Sequence, residues 1–191
     1  MIELATPLSL VTFVSVDVET TGLDPQRDEI VEIGAVKVQG GSVIEEFDTL
    51  VHVERTIPFT ARRVHGISNE MLVGKPRVSE ALDRFLRFAG DGVLVEHSHK
   101  AFDVGFLEQA HGAPLPAPYI NTCALSRRLF PHMRKHSLEE CCRRMRITNM
   151  RPHRALGDAK ATADLLICLL ECCSSRYPRL QDLVAVASIE R

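Results

Sequence analysis

The sequence contains no tryptophan, and aromatic residues of any kind make up only 5% of its 191 residues. Its strongly apolar run near the C-terminus, residues 165–170, is far shorter than the roughly 20 residues that a membrane-spanning helix requires. Residues 1–11 carry no Lys or Arg ahead of an apolar stretch, so they do not resemble a secretory signal peptide. We therefore expect a protein that resides in the cytoplasm and does not bind membranes.

The six cysteines lack the spacing of a redox or metal motif, because no Cys-x-x-Cys sequence is present. Four of them form two adjacent pairs, Cys141-Cys142 and Cys172-Cys173, in segments whose pattern predicts helices. Adjacent side chains on a helix point in different directions, so these pairs are poor candidates for disulfide bonds. The pattern favours reduced, mostly buried thiols.

A structural zinc site is a weaker interpretation of the same region. His132 and His136 are four residues apart, a spacing at which one helix presents two ligands, and cysteine pairs occur in the chain. However, Pro131 indicates a loop or a helix start, and no regular cysteine spacing follows. We therefore expect no zinc here.

The rest of the composition is typical of one globular domain, with 45% hydrophobic and 25% charged residues. The net charge is only −2, but it is unevenly distributed along the chain. Residues 1–50 contain ten acidic and two basic residues, whereas residues 127–154 contain nine basic and two acidic residues. This distribution suits a protein that binds cations at one place and phosphates at another, although uneven surface charge is also common.

Hydrophobic periodicity predicts three strands followed by alternating strands and helices. The predicted strands are residues 12–19, 30–38, 43–51, 93–96 and 119–122. The predicted helical segments are residues 61–71, 78–89, 102–110, 123–130, 137–146, 155–173 and 179–189. Short links between the first three strands, such as Gly40-Gly41, indicate an antiparallel meander. We predict an α/β fold with a mixed five-stranded sheet flanked by helices.

Asp17 and Glu19 are the first candidate functional residues. They lie two positions apart on the first predicted strand, so both side chains project from one face, while valines occupy the other. Two adjacent carboxylates repel each other, and their pKa values rise unless a cation compensates. A pair at a strand end beside a glycine turn suits a hard divalent ion, although two solvated acids would give the same pattern.

Asp103 is the third candidate acid. It follows the predicted strand 93–96 and opens a predicted helix. A carboxylate is favoured at a helix N-terminus by the helix dipole, so helix capping alone would explain this residue.

Asp158 and His153 complete the set. Asp158 lies in the first turn of the predicted helix 155–173, whose small residues would let it approach a sheet closely and bring Asp158 to Asp17 and Glu19. These small residues are Ala155, Gly157, Ala159, Ala161 and Ala163. His153 precedes the helix on a loop, where it would be either an ordinary surface histidine or a mobile general base beside a metal cluster.

The order of these residues, an Asp-x-Glu pair, a later aspartate and a His-x-x-x-x-Asp motif, resembles the DEDD exonucleases that use a histidine base. The resemblance covers about residues 10–175 and is carried by residues 16–23, 64–67, 101–107 and 153–159. The His65-Gly66-Ile67 segment is similar to the proofreading epsilon subunit of bacterial DNA polymerase III. The resemblance implies an RNase H-like fold. From the pattern of the chain we expect an exonuclease domain over residues 1–175 and a C-terminal helix in residues 176–191, which would pack on the same domain or serve as an interaction handle.

The resemblance also implies a reaction, the metal-dependent 3′→5′ removal of 5′-mononucleotides from single-stranded DNA. Asp17, Glu19 and Asp158 would hold one Mg²⁺ or Mn²⁺, and Asp17 with Asp103 would hold a second. Two such ions stabilise the attacking and leaving oxygens at phosphorus. His153 would take a proton from the attacking water.

Six residues match positions that meet the terminal nucleotide in this family. They are Thr20, Thr21, Gly22, Leu23, His65 and Phe102. Backbone groups of the Thr-Thr-Gly-Leu turn would bind the 3′-hydroxyl, and Leu23 would wedge against a base. Turn chemistry or core packing would also explain each residue. The basic stretch 127–154 would hold the phosphates of the strand, or would simply be a solvated helix face.

One feature departs from the family pattern. Many relatives carry His-Asn shortly before the third acid, at a spacing that falls on Ser98-His99 or on His97-Ser98 here. The asparagine is replaced in either alignment, so support of the second ion or of the substrate could differ.

The resemblance leaves two other functions open. A stand-alone exoribonuclease or oligonucleotide-degrading enzyme has the same chemistry, and the short stretch after residue 173 weakens the interpretation as a polymerase subunit. A non-catalytic nucleic-acid-binding module is disfavoured, because the full set of four acids and one histidine is present. We favour single-stranded DNA 3′ ends as the substrate, with a DNA polymerase as a candidate partner.

Overall fold

The computed structural model describes residues 2–188 and is built around one mixed sheet of five strands. The strands are β1 (Phe13–Thr20), β2 (Ile30–Gln39), β3 (Ser42–Leu50), β4 (Val93–Glu96) and β5 (Tyr119–Asn121). Their order is β3-β2-β1-β4-β5, in which the first three pair antiparallel and β4 and β5 continue parallel to β1. The predicted α/β architecture is therefore confirmed.

Eight α-helices surround the sheet in the described part of the chain. They are α1 (Phe59–His65), α2 (Asn69–Leu72), α3 (Val78–Ala89), α4 (Phe102–His111), α5 (Thr122–Leu129), α6 (Leu138–Met145), α7 (Ala155–Cys173) and α8 (Leu180–Ala187). The predicted helical segment 61–71 is two short helices, because Gly66 with a φ of 72° ends the first. Position 189 of the predicted last helix lies outside the described residues.

The first strand is buried on both faces, which makes β1 the centre of the domain. Val14, Val16 and Val18 belong to a core shared with α3 and α4. Phe13 belongs to a second core, on the other face, shared with α5, α7 and α8. None of the described helices has the length and apolar character needed to cross a lipid bilayer.

The C-terminal helix α8 lies against the N-terminal segment. The backbone N–H of Leu180 donates to the carbonyl of Thr6 at 3.0 Å, and that of Gln181 donates to Leu4 at 2.8 Å. Leu180 and Leu183 are buried in the same core as α7. The division of the chain at residue 175 stays a prediction, and residues 189–191 of the second segment lie outside the described residues.

The helix α7 approaches the sheet so closely that its first turn touches the backbone of β2 at Gly34. A Cβ atom at Gly34 would lie 2.1 Å from the backbone nitrogen of Leu156 and 2.2 Å from the carbonyl carbon of Ala155. The Ser15 hydroxyl on β1 donates to the carbonyl of Ala159 at 2.9 Å, which adds a hydrogen bond between sheet and helix. The buried small residues of α7 thus permit the close approach that the sequence predicts.

Replacing Gly34 is expected to destabilise the fold, because a side chain there has no room between β2 and α7. We expect Gly34→Ala to lower the free energy of unfolding by about 1–3 kcal/mol, the usual cost of overpacking. Gly105→Ala is the control, since a Cβ on this glycine of α4 meets nothing within 4 Å. The control should be neutral or stabilising by roughly 0.5–1 kcal/mol. Urea titration measures both, and equal stabilities for the two variants would contradict the prediction.

Candidate active site

Three of the predicted acids converge above β1. One carboxylate oxygen each of Asp17, Glu19 and Asp158 lie within 4.8 Å of one another. Asp17 and Glu19 share a strand face, as predicted, and Asp17 lies opposite Gly34 in the antiparallel pairing of β1 with β2. The close approach of α7 at Gly34 is therefore what brings Asp158 to the strand.

Asp103 joins the site from the other side of β1. The pairing of β1 with β4 stops at Ser15, so β1 extends beyond its neighbour. The backbone N–H of Val18, between Asp17 and Glu19, donates instead to the Asp103 carboxylate at 2.9 Å. Asp103 is only 4% exposed and lies in the first turn of α4, so its hydrogen bond connects that helix to β1.

The clustered acids repel one another in a desolvated place. Burial is the largest cause that raises the pKa of Asp17, followed by the charges of Asp103 and Asp158. Burial and the charges of Asp158 and Glu32 raise the pKa of Glu19 to about 8. Burial likewise raises the pKa of Asp103 well above its ordinary value. Such a cluster is stable with bound protons or with a bound cation, and carboxylate oxygens are the ligands that hard divalent ions prefer.

The loop before α7 holds Asp158 by both of its carboxylate oxygens. The Asn149 side-chain amide donates to one oxygen, and the backbone N–H of His153 donates to the other at 3.0 Å. His153 is exposed and has a φ of 60°, a conformation that few non-glycine residues adopt. The structure therefore places His153 on a loop beside Asp158, as the sequence predicts.

Sequence reasoning missed Glu32, which anchors the start of α7 to the sheet. Its carboxylate is 1% exposed, forms an ion pair with Arg154, and accepts the backbone N–H of Ala155 at 2.9 Å. The available signal was a single acid in the apolar β2 sequence, which alternation alone would have assigned to a solvent-facing position.

Sequence reasoning also missed Glu96, which anchors the start of α4. This fully buried carboxylate accepts the Val104 backbone N–H at 2.9 Å and the Tyr119 hydroxyl at 2.8 Å. It also accepts the Ser98 hydroxyl. Burial is the largest cause that raises the pKa of Glu96. Ser98 occupies one of the two positions where relatives carry asparagine. Here it binds Glu96, the residue that holds the start of α4.

The residues expected to meet a terminal nucleotide line one cavity of about 370 Å³ next to Glu19. This volume lies within the range of small-molecule sites. All six predicted positions contribute, and α1 adds three residues that the sequence did not reveal. The full lining is Val18, Glu19, Thr20, Thr21, Gly22, Leu23, Thr60, Ala61, Val64, His65 and Phe102. We call this space the β1–α1 cavity.

The turn after β1 uses its hydroxyl groups internally. The Thr20 hydroxyl donates to the Gly22 carbonyl, and the Thr21 hydroxyl donates to the Asp28 carboxylate at 3.2 Å. A Cβ on Gly22 would lie 2.3 Å from an oxygen of Asp28, so the turn requires glycine there. Leu23 is 83% exposed at the mouth of the cavity. The turn therefore offers a substrate its backbone and the Leu23 side chain.

His65 is a buried histidine in the wall of the β1–α1 cavity. Its Nδ1 accepts the backbone N–H of Ile67 at 3.0 Å, so the proton of the neutral ring is on Nε2. Burial lowers the pKa of His65, which favours this neutral form. The predicted position therefore contributes a neutral imidazole to the cavity wall.

The zinc interpretation, a weaker alternative in the sequence, concerned His132, His136 and the cysteine pairs. Among the residues described, the group of side chains that could hold a metal is Asp17, Glu19 and Asp158. His136 is buried, its Nε2 donates to the Met133 carbonyl, and its Nδ1 forms a hydrogen bond with the Ser126 hydroxyl. The six cysteines are free thiols.

Comparison with known proteins identifies the family. Residues 14–166 match the family model described as Exonuclease. The PolC-type DNA polymerase III of Thermotoga maritima is 42% identical over 164 residues, which are 84% of this chain and 12% of that protein. The DNA polymerase III subunit epsilon of Aquifex aeolicus is 38% identical over 164 residues, covering 84% of this chain and 81% of that protein.

A solved structure agrees with these sequence relatives. Exonuclease X in complex with 5′-overhanging duplex DNA superposes with a TM-score of 0.72 at 28% sequence identity, over 90% of this chain and 99% of that chain. The chain thus spans a small part of the PolC-type polymerase but most of the epsilon subunit. The predicted resemblance and RNase H-like fold are confirmed, and the chain belongs to the exonuclease family.

Proposed function

We propose that this exonuclease domain hydrolyses phosphodiester bonds at the 3′ end of single-stranded DNA and releases 5′-mononucleotides. The observation that carries the proposal is the convergence of Asp17, Glu19 and Asp158 directly beside the β1–α1 cavity. A terminal nucleotide in that cavity would place its phosphate against the acids. The DNA polymerase III relatives and the DNA complex of Exonuclease X support DNA as the substrate class.

The donor set fits hard divalent cations such as Mg²⁺ or Mn²⁺. Its atoms are carboxylate oxygens, and their mutual repulsion is relieved by positive charge. We propose that Asp17, Glu19 and Asp158 hold one ion and that Asp17 and Asp103 hold a second. The bound ions would supply charge stabilisation for the attacking and leaving oxygens at phosphorus.

The protein's own groups account for the remaining steps. His153, which is exposed on the loop beside Asp158, would accept a proton from the attacking water and return it to solvent. The turn at residues 20–23 would hold the sugar through its backbone, and Leu23 with Phe102 would pack against the sugar and base. His65 would contribute its neutral imidazole to the wall against which the nucleotide packs.

The basic stretch 127–154 is a weaker candidate for contacts along the strand. Part of its charge is paired within the protein, since Arg143 and Arg144 both bind the Glu140 carboxylate. Arg127, on α5, forms a hydrogen bond with His99 on the loop that leads into α4, and its charge would attract a phosphate of the strand. On the strength of the polymerase relatives we also propose a DNA polymerase as partner and the cytoplasm as location.

Nuclease assays test the proposal directly. With Mg²⁺ or Mn²⁺, we expect 5′-labelled single-stranded DNA to shorten stepwise from its 3′ end, because the site addresses a terminal nucleotide. EDTA should stop the reaction. Asp158→Asn removes a proposed ligand, and its activity should fall by more than the roughly 10- to 100-fold typical of residues that only orient a ligand.

The same assay contains its controls. The Asp158→Asn protein, purified identically, excludes a contaminating nuclease. A matched RNA oligomer, run in parallel, would reveal an exoribonuclease if it were degraded faster than DNA. Absence of cleavage of either strand with metal present would refute the proposed activity.

Metal binding should be visible as a pH-dependent stabilisation. The raised pKa of Glu19, about 8, exceeds its value in an unfolded chain, so its protonation stabilises the fold at low pH. That contribution is lost as the pH rises through about 8. We therefore expect the Tm of metal-free protein to fall from pH 6 to about pH 9, and Mn²⁺ to raise Tm more at the higher pH.

Glu19→Gln is the matched variant for this measurement. Its metal-free Tm should change less with pH, because the titrating carboxyl is gone, and its response to Mn²⁺ should be small. Calorimetric melting curves at two pH values with and without Mn²⁺ suffice. A Mn²⁺ response in Glu19→Gln equal to that of the wild type would contradict the ligand assignment.

Leu23 is expected to contribute to substrate binding rather than to chemistry. Leu23→Ala removes an exposed apolar side chain at the cavity mouth and should raise KM about fivefold, equivalent to about 1 kcal/mol of lost apolar burial, with little change in kcat. Leu10→Ala is the control, because Leu10 is 66% exposed but lies outside the cavity. Steady-state kinetics on a DNA oligomer distinguish them, and equal KM values would exclude the wedge role.

A further inference from the structure

Glu32 is a buried acid next to the metal-binding candidates that belongs to none of the predicted motifs. It lies on β2 directly opposite Glu19, and its side chain is 1% exposed. A buried carboxylate is strongly unfavourable unless it is paired and hydrogen-bonded. Its partners therefore indicate what this residue does.

The hydrogen-bond partners of Glu32 are Ala155, the first residue of α7, and Arg154, the residue before it. The Arg154 Nε lies 3.1 Å from both carboxylate oxygens, and a terminal guanidinium nitrogen also binds the carboxylate. The backbone N–H of Ala155 donates to the same carboxylate at 2.9 Å. The Glu32 side chain on β2 thus binds both the guanidinium of Arg154 and the first backbone N–H of α7.

Arg154 lies between the two site residues that α7 and its loop contribute. His153 precedes it directly, and the Arg154 carbonyl accepts the backbone N–H of Asp158 at 3.0 Å. The His153 N–H in turn donates to the Asp158 carboxylate. A shift of Arg154 relative to β2 would consequently move both His153 and Asp158 away from the acids on β1.

We propose that the Glu32–Arg154 ion pair positions His153 and Asp158 against Asp17 and Glu19. Arg154 also offsets the charge of Glu32, which otherwise raises the pKa of neighbouring Glu19. Both are positioning residues and neither is placed on substrate. The inference rests on the proposed function for its effect on catalysis, but its effect on metal binding is independent of that function.

A second ion pair between the sheet and α7 provides a matched comparison. Lys160, on the second turn of α7, binds Glu46 on β3 at 2.8 Å. Both of these side chains are nearly half exposed, with 46% and 45% of their surface accessible. Exposed ion pairs of this kind contribute little to the stability of the fold. Removing either cation changes the net charge of the protein equally, but Arg154 directly precedes α7, whereas Lys160 lies on its second turn.

Arg154→Met is the decisive variant, because charge and position predict opposite effects on metal affinity. Removing a cation near Glu19 would by charge alone tighten Mn²⁺ binding. Loss of positioning should weaken it, by about 10- to 100-fold, as is usual for residues that orient metal ligands. Calorimetric titration of metal-free protein with Mn²⁺, without substrate, measures the affinity. Lys160→Met should bind Mn²⁺ within about twofold of the wild type.

Two further variants separate positioning from loss of fold. Arg154→Lys keeps the charge but not the two-pronged guanidinium geometry, so it should restore part of the affinity. Glu32→Gln combined with Arg154→Met removes the unpaired buried carboxylate while keeping an acceptor for Ala155, so its Tm should exceed that of Arg154→Met. On DNA, the loss in Arg154→Met should appear in kcat more than in KM, since the pair lies outside the β1–α1 cavity.

The outcomes are distinguishable. Unchanged or tighter Mn²⁺ binding by Arg154→Met, with only a lower Tm, would overturn the positioning proposal and leave a purely structural pair. A loss in Lys160→Met as large as that in Arg154→Met would overturn it as well. If the wild type degrades neither DNA nor RNA, the proposed function fails, while the Mn²⁺ affinities still decide whether the pair positions Asp158.

Discussion

The contact between the first turn of α7 and the backbone of β2 is the constraint on which the rest of the structure depends. Gly34 leaves no Cβ between the two backbones, and the Ser15 hydroxyl adds a hydrogen bond to the helix one turn further on. Asp158 lies in that first turn, so its distance from the β1 carboxylates is set by the closeness of packing. A change of side-chain volume between α7 and β2 would move Asp158 relative to the β1 carboxylates, because close-packed interiors transmit displacements.

The same contact creates an electrostatic difficulty that the fold resolves with helix N-termini. Four acidic side chains of the site lie near one another, and two more, Glu32 and Glu96, are buried on the flanking strands. Glu32 accepts the first backbone N–H of α7, and Glu96 accepts a backbone N–H of the first turn of α4. Helix N-termini carry partial positive charge, so each buried glutamate fixes the helix that bears a site aspartate.

Much of this arrangement could be predicted from local sequence pattern. Alternation along β1 places Asp17 and Glu19 on one face, and the small residues of α7 predict its close approach, since both features depend only on neighbouring residues. The role of Glu32 could not be predicted, because its partner Arg154 lies 122 residues away in sequence. On α1, His65 was predicted, but the contributions of Thr60, Ala61 and Val64 to the cavity were missed, because no sequence pattern indicates which exposed side chains line a cavity.

Asp103 shows where a local explanation was incomplete. The sequence explains Asp103 by its place at a helix N-terminus, where the helix dipole favours a carboxylate. The structure adds that β4 is shorter than β1, which leaves the Val18 N–H available to Asp103. This hydrogen bond depends on the relative lengths of two strands that are far apart in sequence.

The chemistry of the cavity wall bears on the proposed binding of a terminal nucleotide. The hydroxyls of Thr20 and Thr21 are engaged within the turn, and most of the remaining lining, such as Leu23, Val64 and Phe102, is apolar. Apolar contact with a sugar and the face of a base distinguishes bases poorly, because hydrogen bonds to base edges are what specify sequence. A nucleotide with any base should therefore fit. The site would select a substrate by whether it has a free strand end that can enter the cavity. The proposed removal of successive, different nucleotides from one 3′ end requires this tolerance of different bases.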